Sequence, residues 1–148
     1  MKARDLMTAD PFVVTPKDSV KRAAELMRNI RVGCLPVVDD PERPILRGII
    51  TDRDITVRCV SAGHVPGCTV ERHMTAKPLQ TVDPDDDVSE VVVKMESGQL
   101  RRIPVVNDDE ILIGIIAQAD LATKLGPTEP LMVEAVLQRI STPANARV

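Results

Sequence analysis

The chain has 148 residues, with 19 Lys and Arg against 22 Asp and Glu (formal net charge −3), one Phe, and neither Tyr nor Trp. A chain of this length buries enough surface to fold without disulfide or metal staples. The missing aromatics exclude the stacking platforms on which single-strand nucleic-acid binders and RNA-recognition folds rest bases, and the mild acidity argues against a duplex-binding footprint.

No apolar run reaches the length of a membrane helix, and the start MKARDLMTAD lacks a signal-peptide core. Three cysteines, Cys34, Cys59 and Cys68, have no disulfide-framework spacing. A cytoplasmic protein with no nucleic-acid or membrane partner is expected.

The predicted elements come in one order, twice. Met7-Thr8-Ala9 opens the first round, and Pro16-x-x-x-Val20 leads into a helix whose face is Val20, Ala23, Ala24 and Met27. The apolar runs Leu35 to Val38 and Ile45 to Ile50 follow, joined by the turn residues Asp39-Asp40-Pro41 into a hairpin. A second helix starts near Asp52, carries Ile55, Cys59 and Ala62, and stops at Gly63.

The second round repeats the first. Met74-Thr75-Ala76 recurs at an offset of 67, Pro84-x-x-x-Val88 and Ile103-Pro104-Val105-Val106 at 68, and Gly114-Ile115-Ile116 and Asp120 at 66. The helix stripe returns as Val88, Val91, Val92 and Met95, the second hairpin strand as Ile111 to Ile116, and the closing helix as Leu121 and Leu125 before Gly126-Pro127. A last helix has the stripe Val133, Val136, Leu137 and Ile140, for which docking within its own chain is preferred over reaching a second copy.

The expected fold class is α+β. Two β-α-β-β-α units, each too small for its own core, pack sheet to sheet with quasi-twofold symmetry, followed by a C-terminal helix. The expected bounds are 1–63 for the first repeat, 64–73 for a connector, 74–126 for the second repeat and 127–148 for the helix and tail.

This order of motifs, from Arg4 to Gly126 in both copies, resembles the CBS domain, and two in tandem resemble a Bateman module. The resemblance implies a regulatory module that binds an adenosine-containing ligand (AMP, ADP or ATP, in some members NAD(H) or S-adenosylmethionine) in clefts between the copies. It also implies that two modules associate, so a homodimer is expected, with transmission to the dimer mate or to a partner protein. No nucleophile–base–orienter arrangement and no Gly-rich phosphate loop is visible, so no enzyme activity is expected.

In the family, the aspartate of Gly48-Ile49-Ile50-Thr51-Asp52-Arg53-Asp54 accepts ribose hydroxyls and the threonine hydroxyl touches phosphate. Those roles imply Asp54 for the ribose and Thr51 for the phosphate, and Arg53 could add a charge-assisted bond. Thr51-x-x-Asp54 is equally a helix N-capping pattern. The second copy keeps Asp120 but has Ala117 and Ala119 where the first has Thr51 and Arg53, so two unlike sites are expected, with Arg101 or Arg102 supplying charge to the weaker one. By family geometry the base lies against backbone near Val32-Gly33 and near Leu100-Arg101, with Ile49 in the expected lining.

Cys59, His64, Cys68 and His73 are all zinc-ligand types, but their spacing fits no compact finger, so neither metal nor cofactor is expected. Asp83-x-Asp85-Asp86-Asp87 reads as a solvated helix N-terminus rather than a cation site. The rival to ligand sensing is a structural module with empty clefts whose output is dimerisation or partner binding.

Overall fold

The computed structural model describes residues 1–142, which form α1 (Ala3–Leu6), β1 (Thr8–Ala9), α2 (Val20–Ile30), β2 (Cys34–Asp40), β3 (Arg43–Thr51), α3 (Asp52–Asp54), β4 (Thr75–Ala76), α4 (Val88–Ser97), β5 (Arg102–Val106), β6 (Leu112–Ala117), α5 (Gln118–Lys124) and α6 (Pro130–Ser141). Helix α3 continues as a π-helix over Ile55–Val60, and a 3₁₀ turn spans Val70–Arg72. The fold is α+β with two antiparallel sheets of three strands. Of the expected C-terminal segment 127–148, the tail 143–148 lies outside the described residues. No helix among the described residues is long and apolar enough to cross a membrane.

One compact unit is built from residues 11–79 and 109–112. Ser19 Oγ accepts from the Arg22 N–H at 3.1 Å and starts α2, whose buried face is Val20, Ala23 and Met27. Ala24, expected on that face, is exposed; Leu26 and Ile30 flank the buried stripe instead. The helix ends at Arg31, whose φ of 56° puts a side chain other than glycine in the left-handed region.

The sheet of this unit has the order β2-β3-β4, with Cys34 opposite Thr51, Pro36 opposite Ile49 and Gly48 opposite Ala76. On the free side of β2, Val14 runs parallel, donating to Pro36 O at 3.1 Å and accepting from Val38 N at 2.9 Å. Val14, Leu35, Val37, Ile50 and Val70 join the buried face of α2 to make the core.

The other unit comprises residues 1–10, 80–108 and the described residues from 113 on. Its sheet has the order β1-β6-β5, and Val82 lies parallel to β5 as Val14 does to β2. Met95, Ile103, Val105, Ile116 and Leu121 anchor its core. Helix α6 adds Val133, Val136 and Ile140 to that core, so the last apolar stripe docks within the chain, and Arg139 Nη1 meets Glu96 Oε2 at 3.2 Å.

Each Met-Thr-Ala strand joins the sheet of the opposite sequence copy. Thr8 and Ala9 pair with Ile115 and Gly114, whereas Thr75 and Ala76 pair with Ile49 and Gly48. The two glycines make this pairing possible. A Cβ on Gly48 would lie 2.6 Å from Thr75 O, and one on Gly114 would lie 2.8 Å from Met7 Cγ. The Met-Thr-Ala and Gly-Ile-Ile motifs are therefore two halves of one strand pairing.

Candidate functional site

The corner where β3 becomes α3 is held by two reciprocal bonds. Asp54 N–H donates to Thr51 Oγ1 at 3.0 Å, and Thr51 N–H donates to Asp54 Oδ2 at 3.0 Å. Asp52 N–H donates to Gly33 O at 2.9 Å, which ties the segment after α2 to the same corner. The structure thus groups Val32, Gly33, Ile49, Thr51, Arg53 and Asp54 within one unit.

The capping pattern predicted as an alternative is present, and it leaves binding capacity in place. Thr51 Oγ1 accepts with a lone pair, so its own O–H proton remains a donor. Asp54 has spent one lone pair of Oδ2; its Oδ1 lies 3.7 Å from Arg58 Nε, and the side chain is 14% exposed. The Arg53 side chain is exposed. Asp52, which the motif reading left without a role, sets its carboxylate over Gly33, where an added Cβ would lie 2.9 Å from Oδ2.

The second unit reproduces the corner with one bond fewer. Gln118 N–H donates to Arg101 O at 2.9 Å, and Ala117 N–H donates to Asp120 Oδ2 at 2.7 Å. Asp120 Oδ1 faces Lys124 Nζ at 3.9 Å, as Asp54 faces Arg58. Leu100, Arg101 and Asp120 are therefore together, but Ala117 has no oxygen to accept from Asp120 N–H or to donate onward. Gln118 Oε1 is buried and has no hydrogen-bond partner among the described residues.

A second cluster lies in the unit of residues 11–79. The ligating atoms of His64, Cys68 and His73 lie within 4.8 Å of one another, with Cys68 and His73 buried and His64 exposed. Sequence spacing gave no reason to expect this closure. It arises because the loop after the π-helix folds back, with His64 N–H donating to Cys59 O and Cys68 N–H to Val65 O, both at 3.0 Å. Cys59 stays outside the group and packs with Val20 and Cys68, its Sγ 4.0 Å from the carbonyl oxygens of His64 and Val65. Burial foremost, then the charges of His64, Arg72 and Arg58, hold the His73 imidazole below its ordinary pKa.

The acidic run 83–87 behaves as a helix start. Asp87 N–H donates to Glu90 Oε2 at 2.9 Å, and Asp86 Oδ2 accepts from Asp83 N–H and from Lys94 Nζ at 3.0 and 3.1 Å.

The sequence profile described as CBS domain matches residues 3–60 and 70–126. Hypoxic response protein 1 of Mycobacterium tuberculosis is 34% identical over 123 residues, covering 83% of this chain and 84% of that protein. A crystal structure of Hypoxic Response Protein I with two coordinated zinc ions superposes with a TM-score of 0.73 at 34% identity, covering 82% of this chain and 97% of that one. The structure of CBSX2 in complex with AMP gives a TM-score of 0.70 at 29% identity, with coverages of 93% and 96%.

Proposed function

The chain belongs to the CBS-domain family, and from that premise we propose that it is a non-catalytic regulatory module that binds an adenosine nucleotide of the AMP, ADP and ATP class at its Asp54 corner. The observation that carries this reading is the Thr51–Asp54 pair. Each group is oriented by the other, yet a hydroxyl proton and carboxylate lone pairs remain for a ligand. A ribose diol suits the carboxylate, and a phosphate suits the Thr51 hydroxyl and the exposed Arg53 guanidinium. The AMP held by the CBSX2 structure supports the ligand class.

With no Tyr or Trp, the purine rests on aliphatic walls such as half-buried Val32 and Ile49 and on backbone groups. Apolar burial at about 25 cal/mol per Å² over part of a purine leaves affinity in the micromolar range or weaker. Occupancy shifts an equilibrium between two arrangements of the protein only through differential affinity for them. The receiver is a homodimer mate or a partner protein. Val57 and Val60 on the π-helix and Val93 on α4, all at least 50% exposed, are apolar residues suited to such a contact. The three cysteines are buried thiols, which fits the cytoplasm.

For the second corner, Ala117 and Ala119 favour the alternative of an interaction surface without a phosphate-bearing ligand. Calorimetric titration with AMP, ADP and ATP tests the reading, alongside light scattering for the dimer. Because the protein barely absorbs at 280 nm, co-purified adenine appears directly as an excess at 260 nm. No binding heat with any of the three nucleotides, and no such excess, refutes the nucleotide reading and leaves the interaction module.

A further inference from the structure

We propose that His64, Cys68 and His73 form a zinc site. This inference stands on its own geometry, independent of the nucleotide corner. His64 Nδ1 and His73 Nε2 face each other at 3.4 Å. Two nitrogens bound to one tetrahedral zinc at about 2.0–2.1 Å are separated by about 3.3–3.4 Å. As a direct hydrogen bond the same distance is long, and it demands complementary tautomers of the two rings. The rings are tilted by 50° with centroids 5.1 Å apart, so they are not stacked.

Cys68 Sγ completes three ligands, all within 4.8 Å. A tetrahedral N–Zn–S edge is about 3.6 Å, so closing on a metal draws Cys68 Sγ in from a spacing of at most 4.8 Å.

The ligand backbones are already fixed. Cys68 O accepts from Val20 N–H at 2.7 Å, and His73 N–H donates to Val70 O at 3.0 Å, which pins the segment on both sides of the 3₁₀ turn. Arg72 Nη1 lies 3.7 Å from Cys68 Sγ and places positive charge beside the sulfur that becomes a thiolate. Two imidazoles and one thiolate form a borderline-soft set that selects zinc over magnesium or calcium. The described residues bring no fourth side chain into the group, so water or an added ligand takes the fourth position. Exposed His64 is the entry side. On binding, the Cys68 thiol proton leaves to solvent as the sulfur–zinc bond forms. The metal then cross-links the loop after the π-helix to the segment entering β4, and it stabilises this unit by mass action.

The test titrates reduced, chelator-stripped full chain with cobalt(II), then with zinc(II). The expected result is a thiolate-to-cobalt charge-transfer band, clear of aromatic absorbance, with visible ligand-field bands, saturating at one metal per chain and bleached by zinc. Cys68→Ser removes the charge-transfer band. His64→Ala, which trims an exposed side chain and spares the core, weakens binding by more than about 100-fold, since even an outer-shell partner is worth 10–100-fold. Cys59→Ser leaves the band intact. Wild-type protein without the band at tenfold excess of metal overturns the proposal, as does a charge-transfer band that survives Cys68→Ser or metal affinity unchanged in His64→Ala.

Discussion

Thr51 and Asp54 hold one another twice, through Asp54 N–H to Thr51 Oγ1 and Thr51 N–H to Asp54 Oδ2, each at 3.0 Å. The carboxylate proposed to hold a ribose is thus also a structural cap, so its two duties must be separated by choice of substitution. Asp54→Ala loses both: about 1 kcal/mol of stability with the hydrogen bond its carboxylate accepts from the Thr51 N–H, and the ribose acceptor with its about 1.5–3 kcal/mol of binding. Asp54→Asn keeps an oxygen for the Thr51 N–H but removes the charge. Its midpoint in urea should stay near wild type while nucleotide affinity falls about tenfold or more. Equal stability losses in the two variants would show that charge, not capping geometry, holds the corner.

The second corner makes the converse prediction. Ala117 occupies φ −103° and ψ 158°, close to the −115° and 161° of Thr51, so its backbone is already that of a cap. Ala117→Thr should therefore bring Oγ1 to the Asp120 N–H and raise stability by about 1 kcal/mol. The same hydroxyl should raise affinity for phosphate-bearing ligands over adenosine at this corner. Unfolding curves and parallel titrations with AMP and adenosine decide both.

The doubled order of motifs made the α+β class legible, because offsets of 66 to 68 fix which residues correspond. They carry over even to single bonds: Asp52 to Gly33 and Gln118 to Arg101 are the same contact in two units. Offsets say nothing, however, about which sheet a two-residue strand joins, so the pairing of Thr8 with Ile115 rather than with the sheet of its own copy was hidden. The left-handed residues were hidden too. Arg31 and its counterpart Gln99, at φ 56° and 48°, turn the chain out of α2 and α4 without the glycine that marks such a position. Ala24 was misplaced because an alanine fits either side of a helix. The four zinc-ligand types were visible as residues, but the reversal between Cys59 and Cys68 that closes three of them together depends on backbone bonds no spacing encodes.

The buried histidine gives a pH dependence with a definite sign. His73 is held below its ordinary value of 6.5 in the folded protein. Below pH 6.5 the unfolded chain binds a proton that the folded protein refuses, so stability falls as pH drops, by at most about 1.4 kcal/mol per pH unit, down to the folded value. Above pH 6.5 this contribution is fully present and flat. Urea unfolding from pH 7.5 to 5, with chelator present to exclude metal, should show the slope in wild type and a flatter profile in His73→Gln.

The two strand-pairing glycines should differ in their tolerance of a methyl group. At Gly48 an added Cβ meets Thr75 O at 2.6 Å, a backbone atom fixed by the antiparallel pairing of β3 with β4. At Gly114 the nearest atoms belong to the Met7 side chain, Cγ at 2.8 Å among them, and a methionine can change rotamer. Gly48→Ala should therefore cost at the upper end of the about 1–3 kcal/mol typical of overpacking, and Gly114→Ala at the lower end. Gly67, with nothing within 4 Å of a built Cβ, is the control, and Gly67→Ala should stay within about 0.5 kcal/mol of wild type. Urea midpoints of the three variants at constant m-value measure the order. Gly114→Ala proving as costly as Gly48→Ala would mean that Met7 is locked in place and that both pairings are equally rigid.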